Sequence, residues 1–411
     1  MIGNYKRFNM SAPPRRQALF LLPVVWALSL PKVLMHSSKT DKSGLPKDLK
    51  PPYLLLCNHN AFMDFMVMTY AIWPRRANYI VAIDGFIGIE GLLRSVGGIG
   101  NRKFTTSLPL VRNMLAAREF NDVIVLFPEA RYSLCGTSAV LPASLGKMAK
   151  MMNVPVVTLV MHGHHINCPF WHKGNRWVRS IRSEMKLLFT AEQTQALSAK
   201  DLNAAIREAL HYDDFAWQRE NSRRVRSKKR AEGLHRVLYR CPHCDAEYRM
   251  DSKGTELFCE ACGKRWELSE LGVLSAKDGE TEYSHIPDWY EWERLCVRRE
   301  VEAGTYSFEG EVKIESLPSA KGFVSLGDGR LSHSAEGFKL SGTCQGETFT
   351  LERPVSSMYS CHIEYNYKGR GDCVDVGSFD DTFYVYPKGR DFSVTKMALA
   401  TEELYTHGKA K

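Results

Sequence analysis

Leu54-Leu55-Leu56-Cys57-Asn58-His59-Asn60-Ala61-Phe62-Met63-Asp64 is the most informative stretch of this 411-residue chain. A short apolar run ends at Cys57, a polar turn carries His59, and a second apolar-rich run follows. That reads as strand, turn and helix start. Within one helix, side chains five positions apart diverge by about 140°. With His59 just ahead of the helix, the chain can fold Asp64 back onto the imidazole. A carboxylate on one ring nitrogen fixes the tautomer and stabilises the imidazolium, leaving the other nitrogen as a general base. The bland reading of the same spacing is a surface His and an Asp serving the helix dipole.

The pattern continues outward from this stretch. Val123–Phe127, Asn78–Ile83, Val154–Met161 and Met185–Phe189 join Tyr53–Cys57 as expected strands. Ala61–Ile72, Thr106–Glu119, Ala143–Met152 and Lys200–Glu220 read as helices. Alternation of this kind implies an α/β layer with a mostly parallel sheet flanked by helices, and functional groups at the carboxyl ends of its strands. After Val123–Phe127 comes Pro128-Glu129-Ala130-Arg131-Tyr132-Ser133, an acid and a base emerging at a strand end. Gly97-Gly98-Ile99-Gly100-Asn101-Arg102-Lys103 is either an exposed loop or a two-cation phosphate clamp.

In this order and spacing, the boxes resemble the glycerolipid acyltransferase family, whose type members acylate lysophosphatidic acid. The family carries an Asn-His-x4-Asp box, a Gly-rich segment with an Arg, and a Phe-Pro-Glu-Gly-Thr-Arg-Ser box. A Val-Pro strand follows, here Val154-Pro155-Val156-Val157. The resemblance spans roughly residues 45–220. It implies an acyltransferase-like sheet, His59 as base for the acceptor hydroxyl, and Asp64 orienting it. It places Arg102 and Glu129 in acceptor binding, and the neighbouring cations Lys103 and Arg131 are further substrate-binding candidates. It implies acyl-CoA or acyl-carrier protein as donor, and a lysolipid as acceptor. Three positions depart from the pattern: Ala61 where Ser is frequent, Ala130 for Gly, and Tyr132 for Arg, with Arg131 one residue earlier. The shifted Arg opens the acceptor to other lysolipids or to a lipid alcohol without a glycerol-phosphate head.

Met161-His162-Gly163-His164-His165-Ile166-Asn167-Cys168, with His172, offers ligands at irregular spacing. A pocket-lining role is favoured over a metal there. Cys241-x2-Cys244 and Cys259-x2-Cys262, fourteen residues apart, suit a tetrahedral structural Zn in a zinc ribbon, with a rubredoxin-like iron site as runner-up.

Length alone suggests roughly two or three domains. With 44% hydrophobic and 25% charged residues, disordered and fibrous classes are excluded. No run of 18 uninterrupted apolar residues occurs, which excludes a polytopic membrane protein. The net charge of +9 suggests acidic partners. Eleven cysteines, four of them in two tight pairs, indicate a reducing compartment rather than a disulfide framework.

The domains expected are a membrane-docking segment over 1–40, an acyltransferase domain over 41–222 and a basic linker over 223–235. A zinc ribbon (236–275), a helical linker (276–303) and a β-rich domain (304–411) follow. Strand count suggests a pleckstrin-homology-like barrel for the last. The apolar stretch Ala18–Met35, behind Arg15 and Arg16, could be a signal peptide, a span, or a helix packed on the core. Pro23 and Pro31 and the short run favour an interfacial anchor at the cytoplasmic face of the inner or cell membrane, monotopic or peripheral. Arg223 to Arg230 could hold anionic headgroups or nucleic acid, or be a solvated linker. Nucleic acid is disfavoured because no stacking aromatics cluster there. The reading favoured is a membrane-associated O-acyltransferase; the alternative is a catalytically silent lipid-binding or scaffolding protein.

Overall fold

The computed structural model describes residues 2–105, 107–172 and 174–410, in two compact units. Thr106, expected at a helix start, lies outside the described residues. One unit comprises residues 9–101 and 107–225. In chain order it contains helix α1 (Leu22–Met35), strands β1 (Lys39–Gly44) and β2 (Tyr53–Cys57), and α2 (Met63–Ile72). Next come β3 (Ala77–Ala82), α3 (Glu90–Ser95), β4 (Gly98–Asn101), α4 (Leu108–Arg118) and β5 (Val123–Leu126). The unit closes with α5 (Leu145–Met152), β6 (Val156–His162), α6 (His164–Asn167), β7 (Arg182–Phe189), α7 (Ala191–Ala196), α8 (Ala199–Ala209) and α9 (Asp214–Glu220).

Its seven strands form one sheet in the order β1-β7-β6-β2-β5-β3-β4. From β6 through β4 all neighbours are parallel; β7 runs antiparallel to β6 and parallel to β1. β2 lies at the centre, and all five of its residues are buried. Tyr53, Leu55 and Cys57 enter the cluster with Val67, Met68 and Ile72 of α2. Leu54 and Leu56 face the other side, with Met114, Leu145 and Leu202. A strand covered on both faces has no polar register to keep, which is why it reads as an unbroken apolar run.

Three details depart from the sequence reading. Gly98–Asn101 is edge strand β4, not a loop. Pro23 sits in the first turn of α1, where it is tolerated, and Pro31 lies inside the helix, which runs on to Met35. Lys200–Glu220 is two helices, each started by a side-chain cap: Ser198 accepts from the Asp201 amide and Asp213 from the Ala216 amide.

The second unit comprises residues 2–8, 102–105 and 226–410. Strands β8 (Met250–Lys253), β9 (Glu256–Cys259), β10 (Arg265–Leu268) and β11 (Leu274–Ala276) make a small antiparallel sheet. Helix α10 (Ile286–Glu302) follows. Seven further strands are β12 (Phe308–Ser319), β13 (Gly322–Ser334), β14 (Gly337–Cys344), β15 (Glu347–Pro354), β16 (His362–Glu364), β17 (Cys373–Gly377) and β18 (Thr382–Pro387), and helix α11 (Val394–Ala410) ends the unit. They form an antiparallel sheet in the order β15-β14-β13-β12-β18-β17-β16. The small sheet, α10 and this sheet pack as one body rather than as the separate domains expected. Buried Trp266 of β10 meets Trp289 of α10 edge-on at 5.0 Å. Arg294 of α10 pairs with Glu402 of α11 at 2.6 Å, and Lys396 of α11 with Glu247 at 2.8 Å.

Candidate active site and cysteine cluster

Because β2, β5 and β6 are adjacent and parallel, the segments leaving their carboxyl ends emerge on one edge of the sheet. The chain places β5 on one side of β2 and β6 on the other, the strand-order reversal at which α/β sheets bind ligands. His59 follows β2, Phe127–Ser133 follows β5, and His164 follows β6. These three segments build the site.

His59 Nδ1 lies 3.0 Å from Asp64 Oδ2. The His59 side chain is 22% exposed, whereas Asp64 is wholly buried in the first turn of α2. The same Oδ2 accepts the backbone amides of Asn60 at 2.5 Å and Ala61 at 2.9 Å. The other oxygen, Oδ1, meets Nδ1 of buried His164 at 2.6 Å. Burial alone would raise the Asp64 pKa; the bonds from His164 and His59 overcome it and hold the carboxyl at about 2. Asp64 is therefore a carboxylate, and its contact with Nδ1 leaves Nε2 as the other polar atom of the His59 ring. The His59 ring lies between Phe127 and Tyr132, each with a centroid 4.4 Å away, and the Ser133 amide donates to the His59 carbonyl at 2.8 Å.

Glu129, expected in acceptor binding, is buried and bonded to backbone. It is 1% exposed; Oε1 accepts the His59 amide and Oε2 the Ala139 amide, both at 3.0 Å. It braces the turn that carries His59. Burial pushes its pKa up to about 8, against the pull of those two amides. Arg131 is buried as well, at 4% exposed. Arg102 and Lys103 belong to the β-rich unit. The Arg102 guanidinium donates to the carbonyls of Leu317, Pro318 and Asp380 and to Thr382 Oγ1, at 2.8–3.2 Å. Lys103 Nζ lies 2.9 Å from His362 Nε2. Arg102 and Lys103, the two cations expected as a phosphate clamp, are thus engaged within the β-rich unit, and Glu129 and Arg131 are buried.

Sequence reasoning missed His164 as a partner of Asp64 and the two rings around His59. His164 was visible only as one of several histidines after a strand. Its neighbours play other parts. The His165 ring packs edge-on against Trp171 and Phe215, and burial lowers its pKa to about 3. His162 stacks on Trp217. Among the described residues these histidines form no group of metal ligands.

In the β-rich unit Cys241, Cys244, Cys259 and Cys262 bring their sulfurs within 4.8 Å of one another. Cys241 and Cys262 are 3.8 Å apart, Cys244 and Cys259 3.7 Å. A tetrahedron with metal–sulfur bonds of about 2.3 Å has edges of about 3.8 Å. The donor set thus fits a four-thiolate metal. The two knuckles share one backbone design. The amides of Asp245 and Gly263 return to the carbonyls of Cys241 and Cys259, at 2.9 Å each, and both residues have left-handed φ, 64° and 79°.

The basic run lies across the boundary of the two units. Arg230 is buried and donates to the Leu268 carbonyl, so it is unavailable to headgroups. No helix among the described residues is long and apolar enough to cross a membrane. α1 packs on α2, with Val33 in the cluster of Val67, Met68 and Ile72; Leu22 and Ser29 are also buried, and Trp26 meets Trp73 at 5.8 Å. Leu19, Phe20, Val24, Leu28 and Leu34 are left more than half exposed.

Residues 36–162 match the family model described as Acyltransferase. No curated protein matches the chain. Among solved structures, the chain is similar to the 1-acyl-sn-glycerophosphate (LPA) acyltransferase PlsC from Thermotoga maritima. The two are 16% identical over 46% of this chain and 77% of that one, with a TM-score of 0.36.

Proposed function

We propose, on the premise that residues 36–162 are an acyltransferase-family domain, that the protein transfers an acyl chain from a thioester of CoA or acyl-carrier protein to the hydroxyl of a lysophospholipid or related lipid alcohol. The observation that carries this is the partly exposed His59 held at Nδ1 by buried Asp64. In the reaction, the acceptor hydroxyl gives its proton to His59 Nε2 as its oxygen bonds the thioester carbonyl carbon. Collapse of the tetrahedral intermediate breaks the C–S bond, and the departing thiolate takes the proton back from Nε2. Asp64 stabilises the imidazolium between the two transfers. Phe127 and Tyr132 flank the base with apolar surface suited to an acyl chain. With Tyr132 in place of the family Arg, this turn favours a lipid alcohol over a phosphate-bearing head.

The exposed apolar side chains of α1 support docking at a membrane surface, as an interfacial helix rather than a span. The cysteine cluster supports a structural Zn, closed to substrate by its four thiolates. The strand order β15-β14-β13-β12-β18-β17-β16 with a C-terminal helix supports a pleckstrin-homology-like barrel.

The test is thiol release from acyl-CoA or acyl-carrier-protein thioester by the full chain with a panel of lysolipids. Wild type should release thiol only with an acceptor, and His59→Ala should reduce the rate about 10²- to 10⁴-fold. Equal release by both proteins would remove His59 as the base.

A further inference from the structure

We infer that His164 is a second positioning residue for acyl transfer: from the far side of Asp64 it orients that carboxylate and limits how tightly it holds the His59 imidazolium. This rests on the reading of His59 as the base. The geometry is a chain of three side chains, His59 Nδ1–Asp64 Oδ2 at 3.0 Å and Asp64 Oδ1–His164 Nδ1 at 2.6 Å. Asp64 and His164 are both wholly buried.

A buried histidine kept for structure normally satisfies both ring nitrogens. His164 does not. Its Nε2 has no partner among the described residues, so its single polar bond goes to the carboxylate that serves the base. The backbone around it is clamped to hold that contact. Gly163, at φ 85°, turns the chain out of β6, and the amides of Gly163 and His165 donate to Asp214 at 2.8 and 2.7 Å. A Cβ on Gly163 would meet Ile181 at 2.8 Å and Trp217 at 2.9 Å, so this turn tolerates no side chain.

The electrostatic consequence has one sign. A donor on Oδ1 withdraws charge from Asp64, weakening its hold on a proton at His59. That leaves His59 freer to return the proton to the leaving thiolate. The other titratable groups felt by Asp64 are Cys57, Glu129, His165, Cys168 and Tyr212. Burial raises both thiols and the phenol and lowers His165, so these four are neutral near pH 7. Those felt by or near His164 are His36, His162 and Asp214.

The experiment uses the full chain with His164→Phe, which keeps ring volume but loses the donor, and His164→Asn, whose amide can restore a donor near the Nδ1 position. Thermal unfolding checks that each folds. For His164→Phe, kcat should fall about tenfold or more with KM nearly unchanged. The acidic limb of kcat/KM, and the His59 titration midpoint read by ring-nitrogen NMR, should both rise by about half a unit or more. His164→Asn should recover most of both. Unchanged kcat and midpoint in the Phe variant would overturn the inference, as would an Asn variant that behaves like Phe in both. The NMR arm needs no turnover. If wild type transfers no acyl group, the enzyme reading fails, while the midpoint shift still decides whether His164 acts on His59 through Asp64.

Discussion

Two buried carboxyls that both bond His59, Asp64 at its ring and Glu129 at its backbone amide, are driven in opposite directions. Asp64 gathers four donors and is held at about 2; Glu129 gathers two backbone amides and rises to about 8. The difference is the donors set against the same burial, and it separates the carboxylate on the His59 ring from the one that braces its turn. Ala130 stands one residue after Glu129 with φ 56°, in the left-handed region where a Cβ crowds the backbone. The family pattern has Gly there. Ala130→Gly should therefore stabilise the protein by about 0.5–1 kcal/mol net of the added chain entropy. Urea unfolding measures it, with acyl transfer expected to persist. A loss of stability would mean that the turn has accommodated its side chain.

Among the elements, α1 carries the membrane question. The Pro-broken apolar stretch is one helix with a buried side and an open side, and the two respond differently to charge. Removing residues 1–35 outright would confuse them: Gln17 Oε1 accepts the Ala77 amide at 2.9 Å, and Leu22 and Val33 are in the core. A paired Phe20→Glu and Leu28→Glu change touches only residues that are 78% and 71% exposed. It should leave thermal stability unchanged and weaken co-sedimentation with anionic-lipid vesicles about tenfold or more, since each such side chain contributes roughly 1.5–3 kcal/mol when inserted. Undiminished co-sedimentation would reject α1 as the anchor. The elements missed from sequence have local causes. Strand Cys373–Gly377 is short, and helix Val394–Ala410 has Ala, Thr and Glu turned into a packed face against α10, where an amphipathic stripe is hard to see.

At the scale of the whole chain, residues 102–105 belong with the C-terminal unit although both flanks belong to the sheet unit. Such threading is invisible to a reading that cuts the sequence into consecutive domains, and it gives Arg102 and Lys103 partners in the C-terminal unit that no local pattern announces. The metal prediction also lives here, because the cysteine sheet is continuous with α10 and the β-rich core. Elemental analysis of chelator-free protein should find one Zn per chain, and Cys259→Ser should lose it and lower the unfolding free energy by several kcal/mol. A metal-free, equally stable wild type would dismiss the site.

What the amino-acid order determined by itself was short-range. A fully apolar five-residue strand made the sheet centre, five-residue spacing let Asp64 reach His59, and two Cys-x2-Cys knuckles assembled a thiolate cluster. Each needs only the local geometry of a turn or strand. The tertiary structure decided whatever joins distant positions. Asp64 finds His164 one hundred residues on because β6 pairs in register beside β2, and Arg102 finds Leu317 and Asp380 because burial of a guanidinium requires carbonyls wherever the fold supplies them. No periodicity in a single sequence records such pairings, since they follow from strand order and exclusion of water rather than from neighbouring residues.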